Sequence, residues 1–341
     1  MIARLDAGLD VVWTPSPLAT DGDDYDRFVA ESRSGHYAQT RAFWCVAREA
    51  RSSTARYVLV RDRGHVIGTA LVTRARFGPL SLPWAEVDRG PVCENPSNLA
   101  RVASAVARKA RAHGVLRHSL MPYWADADAD AASRALLSAG FRETQRHDGA
   151  HALTLRIDLS RSGRGEEVLF AGPGRERLRR RFTQATKAGA VARRGTRTDF
   201  EEHRHLTDLM MRAQGKSMRS RAYYEALWSY MLSSEAHGPR GALFVGELEG
   251  RTLATVVVLR RAGSAVYAQG ATTLEPSKIS KSVPPLLAAV RWAEAEGCHT
   301  FDLGGIPDRG DTDPKRRRIA HLKLDFAREP VRLVRRHERI F

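Results

Sequence analysis

The two halves of this chain repeat one order of local patterns. Residues 58–72 (VLVRDRGHVIGTALV) read as a strand, a tight turn and a second strand, and residues 244–258 (FVGELEGRTLATVVV) read the same way. Gly64 and Gly250 fall at matching places, and each suits a hairpin position with positive φ. A repeat of this kind predicts two related domains rather than one continuous fold.

A second match follows each hairpin. An alanine-rich helix is predicted over about 97–113, ending at Gly114, and its partner over about 284–296, ending at Gly297. Glycine after a helix is the expected C-terminal stop, and each helix leads into a further strand. Prolines suit the first turn of the second helix, with Ser282 as its candidate N-cap. The predicted class is α/β (α+β), with mixed central sheets flanked by helices.

Composition limits the classes of partner and compartment. With 341 residues and 43% hydrophobic residues, the chain can bury two substantial cores. Its net charge of +16 favours an anionic partner: nucleic acid, a nucleotide-linked substrate or an anionic membrane surface. The alternative is that many arginines and alanines reflect GC-rich coding. Three cysteines without CxxC spacing indicate reduced thiols, and with no signal peptide or apolar span we expect a cytoplasmic protein.

The segment GCHTFDLGGIP, residues 297–307, carries the most chemical information. A short strand opens into Gly304 and Gly305 beside Asp302, and Lys323 follows in a basic helix. Glycines allow a ligand to approach the backbone closely. A lysine beyond them can place positive charge where negative charge develops in a reaction.

This order of parts resembles the second half of the FemABX family, which transfers amino acids from aminoacyl-tRNA to peptidoglycan precursors. The resemblance implies two tandem GNAT-like acyltransferase domains. The first comprises residues 1–150 plus 327–341 on the acceptor side, and the second residues 151–326. With no long charged helical hairpin between the halves, the chain is similar to the compact FemX-type form.

The resemblance also implies roles for residues of the glycine segment. Lys323 is expected to stabilise the oxyanion of the tetrahedral intermediate. Asp302 either orients Lys323 or an acceptor amine, or caps the turn around the glycines, and we favour the cap. Gly304 and Gly305 either admit the acceptor or shape the turn.

Arginines supply the expected contacts with both substrates. Arg48, Arg219 and Arg221 are candidates for an acceptor phosphate or carboxylate, because guanidinium groups bind such groups with two hydrogen bonds. Phosphates of tRNA are expected to contact two further sets of basic residues, for which the alternative is a solvated helix face. These sets are Arg179 and Arg180, and Arg316, Arg317 and Arg318.

The function implied is an aminoacyl-tRNA-dependent transferase that forms an amide bond on an amine acceptor. The acceptor stays open between UDP-MurNAc-pentapeptide, a lipid-linked precursor and a soluble metabolite such as an antibiotic intermediate. Met121–Pro122 replaces the Asp-Pro usual in the family. We expect no metal, no cofactor beyond aminoacyl-tRNA as co-substrate, and a monomer.

Two competing functions remain. An acyl-CoA-dependent GNAT N-acyltransferase would have the same fold, but residues 269–274 (QGATTL) do not have the spacing of a pyrophosphate-binding loop. A non-catalytic nucleic-acid-binding protein would not need Lys323.

Overall fold

A computed structural model describes residues 8–16, 19–51, 53–144, 152–160, 169–170, 175–235, 238–261, 263–307 and 313–341. Contacts divide the chain into two compact units. The first comprises residues 1–152 and 331–341, and the second residues 153–330. The sequence also favours a loop over residues 160–165, most of which lies outside the described residues.

The strands, in chain order, are β1 (Leu9–Thr14), β2 (Ser53–Asp62), β3 (His65–Phe77), β4 (Leu80–Arg89), β5 (Val92–Cys93), β6 (Arg117–Pro122), β7 (Arg142–Glu143), β8 (Leu153–Asp158), β9 (Val191–Arg194), β10 (Ser234–Glu235), β11 (Gly238–Pro239), β12 (Gly241–Leu248), β13 (Arg251–Arg261), β14 (Ser264–Thr272), β15 (Thr300–Ile306), β16 (Pro330–Arg332) and β17 (His337–Ile340). The α-helices are α1 (Ala19–Glu31), α2 (Trp44–Arg51), α3 (Pro96–Ala112), α4 (Asp126–Ser138), α5 (Glu176–Lys187), α6 (Arg197–Arg212), α7 (Arg221–Leu232), α8 (Val283–Ala295) and α9 (Pro314–Phe326).

A mixed sheet forms the centre of the first unit. Its strands follow the order β1-β2-β3-β4-β6-β17-β7, with β5 paired to β3. Alternate residues of β2 enter two cores, as the two-residue period of a strand requires. Val58 and Val60 pack with α3, whereas Tyr57 and Leu59 pack with Tyr25 of α1.

The second unit has its own sheet. The order is β16-β8-β15-β14-β13-β12-β9, with β14 and β15 parallel and the pairs from β14 to β9 antiparallel. Val256 and Val258 of β13 enter a core with Leu286 and Val290 of α8. Burial of these apolar side chains is the main force holding α8 on the sheet.

The predicted duplication is confirmed at the level of strand register. In the first hairpin Asp62 pairs with His65, and in the second Leu248 pairs with Arg251, so each turn has two residues. Both central residues of each turn have positive φ, with Gly64 at 85° and Gly250 at 73°. Each hairpin also has a register shift two residues before the end of its first strand. Such shared irregularities fix the same face toward the core in both copies.

The helices after these hairpins form as predicted, with one correction at a cap. Gly114 and Gly297 follow α3 and α8 with φ of 78° and 76°. Asn95 caps α3 by accepting from the Asn98 N–H at 3.1 Å. Ser282 does occupy the N-cap of α8, but its side chain makes no capping hydrogen bond. The prolines in the first turn reduce the number of N–H groups that need a cap.

The predicted α/β class with mixed sheets is thus confirmed. Among the helices in the described ranges, none is both long and apolar enough to cross a bilayer.

Candidate active site

Lys323 lies inside the second unit rather than on its surface. It belongs to the last turn of α9, and only 8% of it is exposed. Its Nζ donates to the carbonyl oxygen of Gly305 at 2.8 Å. The same atom lies 5.8 Å from the ring centroid of Tyr267 on β14, within the range of a cation–π contact.

The glycine turn that meets Lys323 is held by Asp302. Asp302 Oδ1 accepts from the Gly304 N–H at 2.7 Å and from Thr154 Oγ1 at 2.5 Å. Asp302 Oδ2 accepts from Arg156 Nε at 3.2 Å. These hydrogen bonds hold the carboxylate in the turn.

Gly304 has a backbone conformation and surroundings that suit glycine. Its φ is 76°, in the left-handed region. A Cβ there would lie 3.4 Å from the Tyr267 carbonyl oxygen and 3.5 Å from Lys323 Nζ. The antiparallel register with β8 also shifts between Asp302 and Gly305. The turn therefore brings the backbone close to the lysine amine.

Burial changes the proton affinity of Lys323. Desolvation lowers the pKa of its amine from 10.5 to about 8, and the charge of Asp302 raises it in part. The amine is therefore still mostly protonated at pH 7. A positive charge in a poorly solvated site interacts strongly with any negative charge that forms beside it.

A chain of hydrogen bonds extends from the same strand. Gln269, two residues after Tyr267 on β14, donates through Nε2 to the hydroxyl of Tyr223 on α7. His203 Nε2 lies 3.1 Å from Gln269 Oε1, and His203 Nδ1 lies 2.8 Å from the Thr255 hydroxyl. Burial lowers the pKa of His203 to about 4, so its ring is neutral at pH 7. The amide and phenol are thus held by a buried neutral histidine.

The predicted acceptor arginines fall in different places. Arg219 lies over the Tyr223 ring, with Cζ 5.3 Å from the centroid. Arg221 is exposed, with Nε 3.6 Å from Glu225. Arg48 belongs to α2 in the first unit, where its Nε donates to Glu49 at 2.9 Å. Arg219 and Tyr223 adjoin Gln269 of β14, whereas Tyr267, beside Lys323, packs into the core on the other face of that strand.

Some arginines of α5 bind the buried carboxylate of Asp325, whereas others do not. Asp325, 3% exposed, accepts from Arg177 Nε and from Arg181 Nη1, the latter at 2.6 Å. Arg179 donates to the Phe170 carbonyl. Arg180 is exposed. It borders a surface cavity of about 530 Å³, whose lining residues are Glu176, Arg177, Arg180, Leu324, Asp325 and Arg328.

The second basic set begins the helix that carries Lys323. Arg316, Arg317 and Arg318 are exposed on α9. Arg316 Nε lies 3.5 Å from Asp313. Seven residues separate Arg316 from Lys323, which is about 10 Å along a helix axis. The cluster and the lysine therefore belong to one rigid element.

Sequence reasoning did not identify Tyr267, Gln269, Tyr223 or His203 as site residues. Simple alternation would place Tyr267 and Gln269 on one face of β14, but the register shifts between them, so Tyr267 packs with Val258 in the core and Gln269 meets His203 on the other face. Nothing local in the sequence pairs Gln269 with His203, which lies 66 residues away along the chain.

Within the described ranges, no three His, Cys, Asp or Glu side chains form a group that could hold a metal ion.

Comparison with known proteins covers most of the chain. A model of the FemAB family matches residues 20–232, and a model described as an acetyltransferase (GNAT) domain matches residues 173–316. No curated protein matches the sequence significantly.

Solved structures share the fold. FemX superposes with a TM-score of 0.77 at 16% identity, covering 97% of this chain and 97% of the other. L-PGS from Bacillus licheniformis gives 0.61 at 14% identity, with 95% and 92% covered. A tandem GNAT protein from the clavulanic acid biosynthesis pathway gives 0.59 at 12% identity, with 97% and 98% covered. The predicted tandem GNAT-like fold is therefore confirmed.

Proposed function

The chain belongs to the FemAB family, which makes it an aminoacyl-tRNA-dependent transferase, and we propose that Lys323 supplies the positive charge on which its amide-forming step depends. One observation carries the proposal. A buried, mostly protonated amine lies 2.8 Å from the backbone of a glycine turn. Placing such a charge in a poorly solvated site lowers stability, as is common at functional sites.

The reaction is aminolysis of an ester. The acceptor nitrogen attacks the carbonyl carbon that joins the amino acid to the tRNA 3′ end. The carbonyl oxygen takes the electron pair and becomes an oxyanion, which Lys323 stabilises. The C–N bond is then complete, the C–O bond to the ribose breaks, and the ribose oxygen gains the proton that the amine loses. Because the ester is already activated, positioning supplies much of the remaining rate.

The acceptor is proposed to bind where Arg219 and Tyr223 lie together. The Arg219 guanidinium, stacked over the Tyr223 ring, can bind a phosphate or carboxylate oxygen. Arg221 and Arg48 remain proposed acceptor contacts. Asp302 is proposed to hold the turn rather than to act as a base, because its oxygens accept from Thr154, Gly304 and Arg156.

The tRNA is proposed to contact the exposed basic residues. Arg180, beside the 530 Å³ cavity, and Arg316–Arg318, on α9, can reach solvent-borne phosphates. Arg179 is a weaker member of the set because its guanidinium already donates to a backbone carbonyl. Such contacts recognise backbone shape and charge rather than sequence.

Transfer of a radiolabelled amino acid from an aminoacyl-tRNA pool tests the proposal. UDP-MurNAc-pentapeptide, a lipid-linked precursor and a panel of soluble amines are supplied as acceptors, with and without RNase. We expect RNase-sensitive labelling of a peptidoglycan precursor. Lys323→Met should lower kcat by roughly 10²–10³-fold, as for loss of one oxyanion-stabilising group. Lys109→Met, in α3, serves as the matched control, and equal turnover by both variants would overturn the role of Lys323.

The match to a GNAT acetyltransferase domain over residues 173–316 favours a second candidate, an acyl-CoA-dependent N-acyltransferase. Acetyl-CoA as sole donor, in the same assay, separates the two. Labelling from acetyl-CoA without labelling from aminoacyl-tRNA would replace the first function by the second.

A further inference from the structure

An exposed apolar surface lies at one end of the sheet in the first unit. Phe77, Leu80 and Ile340 are 78%, 68% and 77% exposed, and Trp84 and Leu116 are also exposed. We call these five residues the apolar end. Such large apolar side chains grouped together on a surface usually indicate an interaction site.

Strand pairing places members of the apolar end side by side. Phe77 pairs with Leu80 across the β3–β4 turn. Trp84 pairs with Arg117, which pairs on its other side with Ile340. Leu80 and Trp84 are four residues apart on β4, with a register shift against β3 between them.

Trp84 lies on the face opposite the core. Ala85 and Val87, which alternate with Trp84 along β4, are buried in the hydrophobic core against α3 and α4. Leu116 joins the group at the edge, where its N–H donates to the Pro83 carbonyl at 2.6 Å. The surface therefore extends over β4, β6 and β17.

Positive charge that is not engaged by a carboxylate of the described chain lies on one side of the apolar end. The nearby carboxylates are already engaged, Glu338 by Arg117 and Glu86 by Arg336. Arg74, Arg76 and Arg111 form no ion pair with a carboxylate of the described chain.

These three arginines lie close to the hairpin and to the helix end beside it. Arg74 donates to the Leu82 and His113 carbonyls, each at 2.9 Å. Arg76 pairs with Ser81 next to the turn. Arg111 lies over the Phe341 ring, 5.8 Å from its centroid. Arg74 and Arg76 alternate with Phe77 along β3 and lie on the α3 side of the sheet, so the three guanidinium groups place positive charge beside the apolar end rather than on its face.

We propose that the apolar end docks on an anionic lipid bilayer. Transfer of phenylalanine, leucine and isoleucine side chains from water into the acyl region lowers their free energy, and tryptophan favours the membrane interface. Arginines beside the apolar end would meet anionic headgroups, each contact adding to the affinity. RNA would use the arginines but would leave the aliphatic side chains exposed to water. This surface is separate from the residues assigned to catalysis, so the inference does not depend on the proposed function.

Vesicle sedimentation tests the proposal with the full chain. Vesicles of phosphatidylcholine alone are compared with vesicles containing equal parts phosphatidylglycerol. We expect binding to the anionic vesicles only, weakened by salt. Phe77→Ser with Leu80→Ser should reduce the affinity about tenfold or more, because two apolar side chains no longer leave water. Leu137 is an exposed residue of α4 in the same unit, and Leu137→Ser should bind the anionic vesicles as the wild type does.

A second measurement guards against misfolding of the double variant. Brominated anionic lipid should quench tryptophan fluorescence in the wild type, and Trp84→Phe should remove most of that quenching. Equal vesicle binding by wild type and the double variant, or quenching unchanged in Trp84→Phe, would overturn the proposal. Loss of tRNA binding with unchanged vesicle binding, in the Phe77→Ser, Leu80→Ser double variant, would also overturn the proposal.

Discussion

Burial of the Lys323 amine has a cost in stability that depends on pH. Its amine has a pKa of about 8 in the folded chain and an ordinary value of 10.5 when unfolded. Between these values the unfolded chain binds more protons, so stability should rise with pH across that window. Below pH 8 both states are protonated and the burial penalty is fully present, at about 3 kcal/mol.

Lys323→Met should therefore separate activity from stability. Methionine fills similar space without a charge, so we expect the second unit to be more stable at pH 7 by about 1–3 kcal/mol, after loss of the bond to Gly305. The difference from wild type should shrink between about pH 8 and pH 10.5. Denaturant unfolding over that pH range measures it. A variant less stable than the wild type at pH 7, with no pH dependence in the difference, would contradict this account.

Thr69 and Thr255 show how one repeated position has acquired two environments. Both are buried in the fourth residue pair from the turn of matching hairpins, opposite Leu59 and Val245. The Thr69 hydroxyl has no hydrogen-bond partner within the described chain, whereas the Thr255 hydroxyl contacts His203. In the second copy this hydroxyl holds His203, whose other ring nitrogen contacts Gln269.

Among helices and strands, α5 and α9 are joined by a buried carboxylate. Asp325 of α9 accepts from Arg177 and Arg181 of α5, and its carbonyl accepts from Arg175 at 3.0 Å. Because α9 also carries Lys323, this cluster helps to fix the position of the Lys323 amine.

Asp325→Asn should loosen α9. The amide keeps the shape but loses the charge that the two guanidinium groups bind. We expect a loss of about 1–3 kcal/mol in unfolding free energy, together with lower kcat. Glu329→Gln, an exposed acid a few residues further on, is the control and should change neither quantity. Chemical denaturation and the transfer assay provide the two measurements; unchanged values for Asp325→Asn would show that the cluster does not hold α9.

Hairpins and helices could be predicted from sequence because their signals are local. Gly64 and Gly250 identified the turns, and Gly114 and Gly297 the helix ends, since only nearby backbone geometry decides them. The tertiary partners of side chains could not be predicted in this way. The basic run at α5 gave no sign that Arg177 and Arg181 point inward to Asp325, which lies 148 and 144 residues away.

The same limit applies to the site. Lys323 and the glycine turn were named from their order in the sequence, but burial of the lysine and its bond to Gly305 depend on tertiary packing. Arg193, part of another basic run, is likewise engaged by Asp199 and Glu247. Charged residues therefore need the fold before they can be assigned to a ligand or to an internal partner.

For the molecule as a whole, a net charge of +16 predicts salt-sensitive tRNA binding. The logarithm of the binding constant should fall linearly with the logarithm of salt concentration. Changing Arg316, Arg317 and Arg318 together to alanine should reduce that slope by about 2 if all three contact phosphates. Filter binding over a range of salt concentrations measures the slope.

A charge-matched control uses exposed arginines of the first unit. Arg63, Arg134 and Arg142 changed together to alanine remove the same net charge. The control slope should stay near that of the wild type. Equal reductions in both triple variants would mean that net charge, rather than the α9 cluster, governs binding.

The sheet of the first unit has a further consequence for synthesis on the ribosome. Strand β17 lies between β6 and β7 and pairs with both, although the chain makes it after the whole second unit. The sheet of the nascent first unit therefore lacks β17 until residues 153–330 have been translated. Until residue 340 emerges, β6 has an open edge that neighbouring nascent chains could occupy. The first unit is thus translated first, but its sheet is completed only after the whole second unit has been translated.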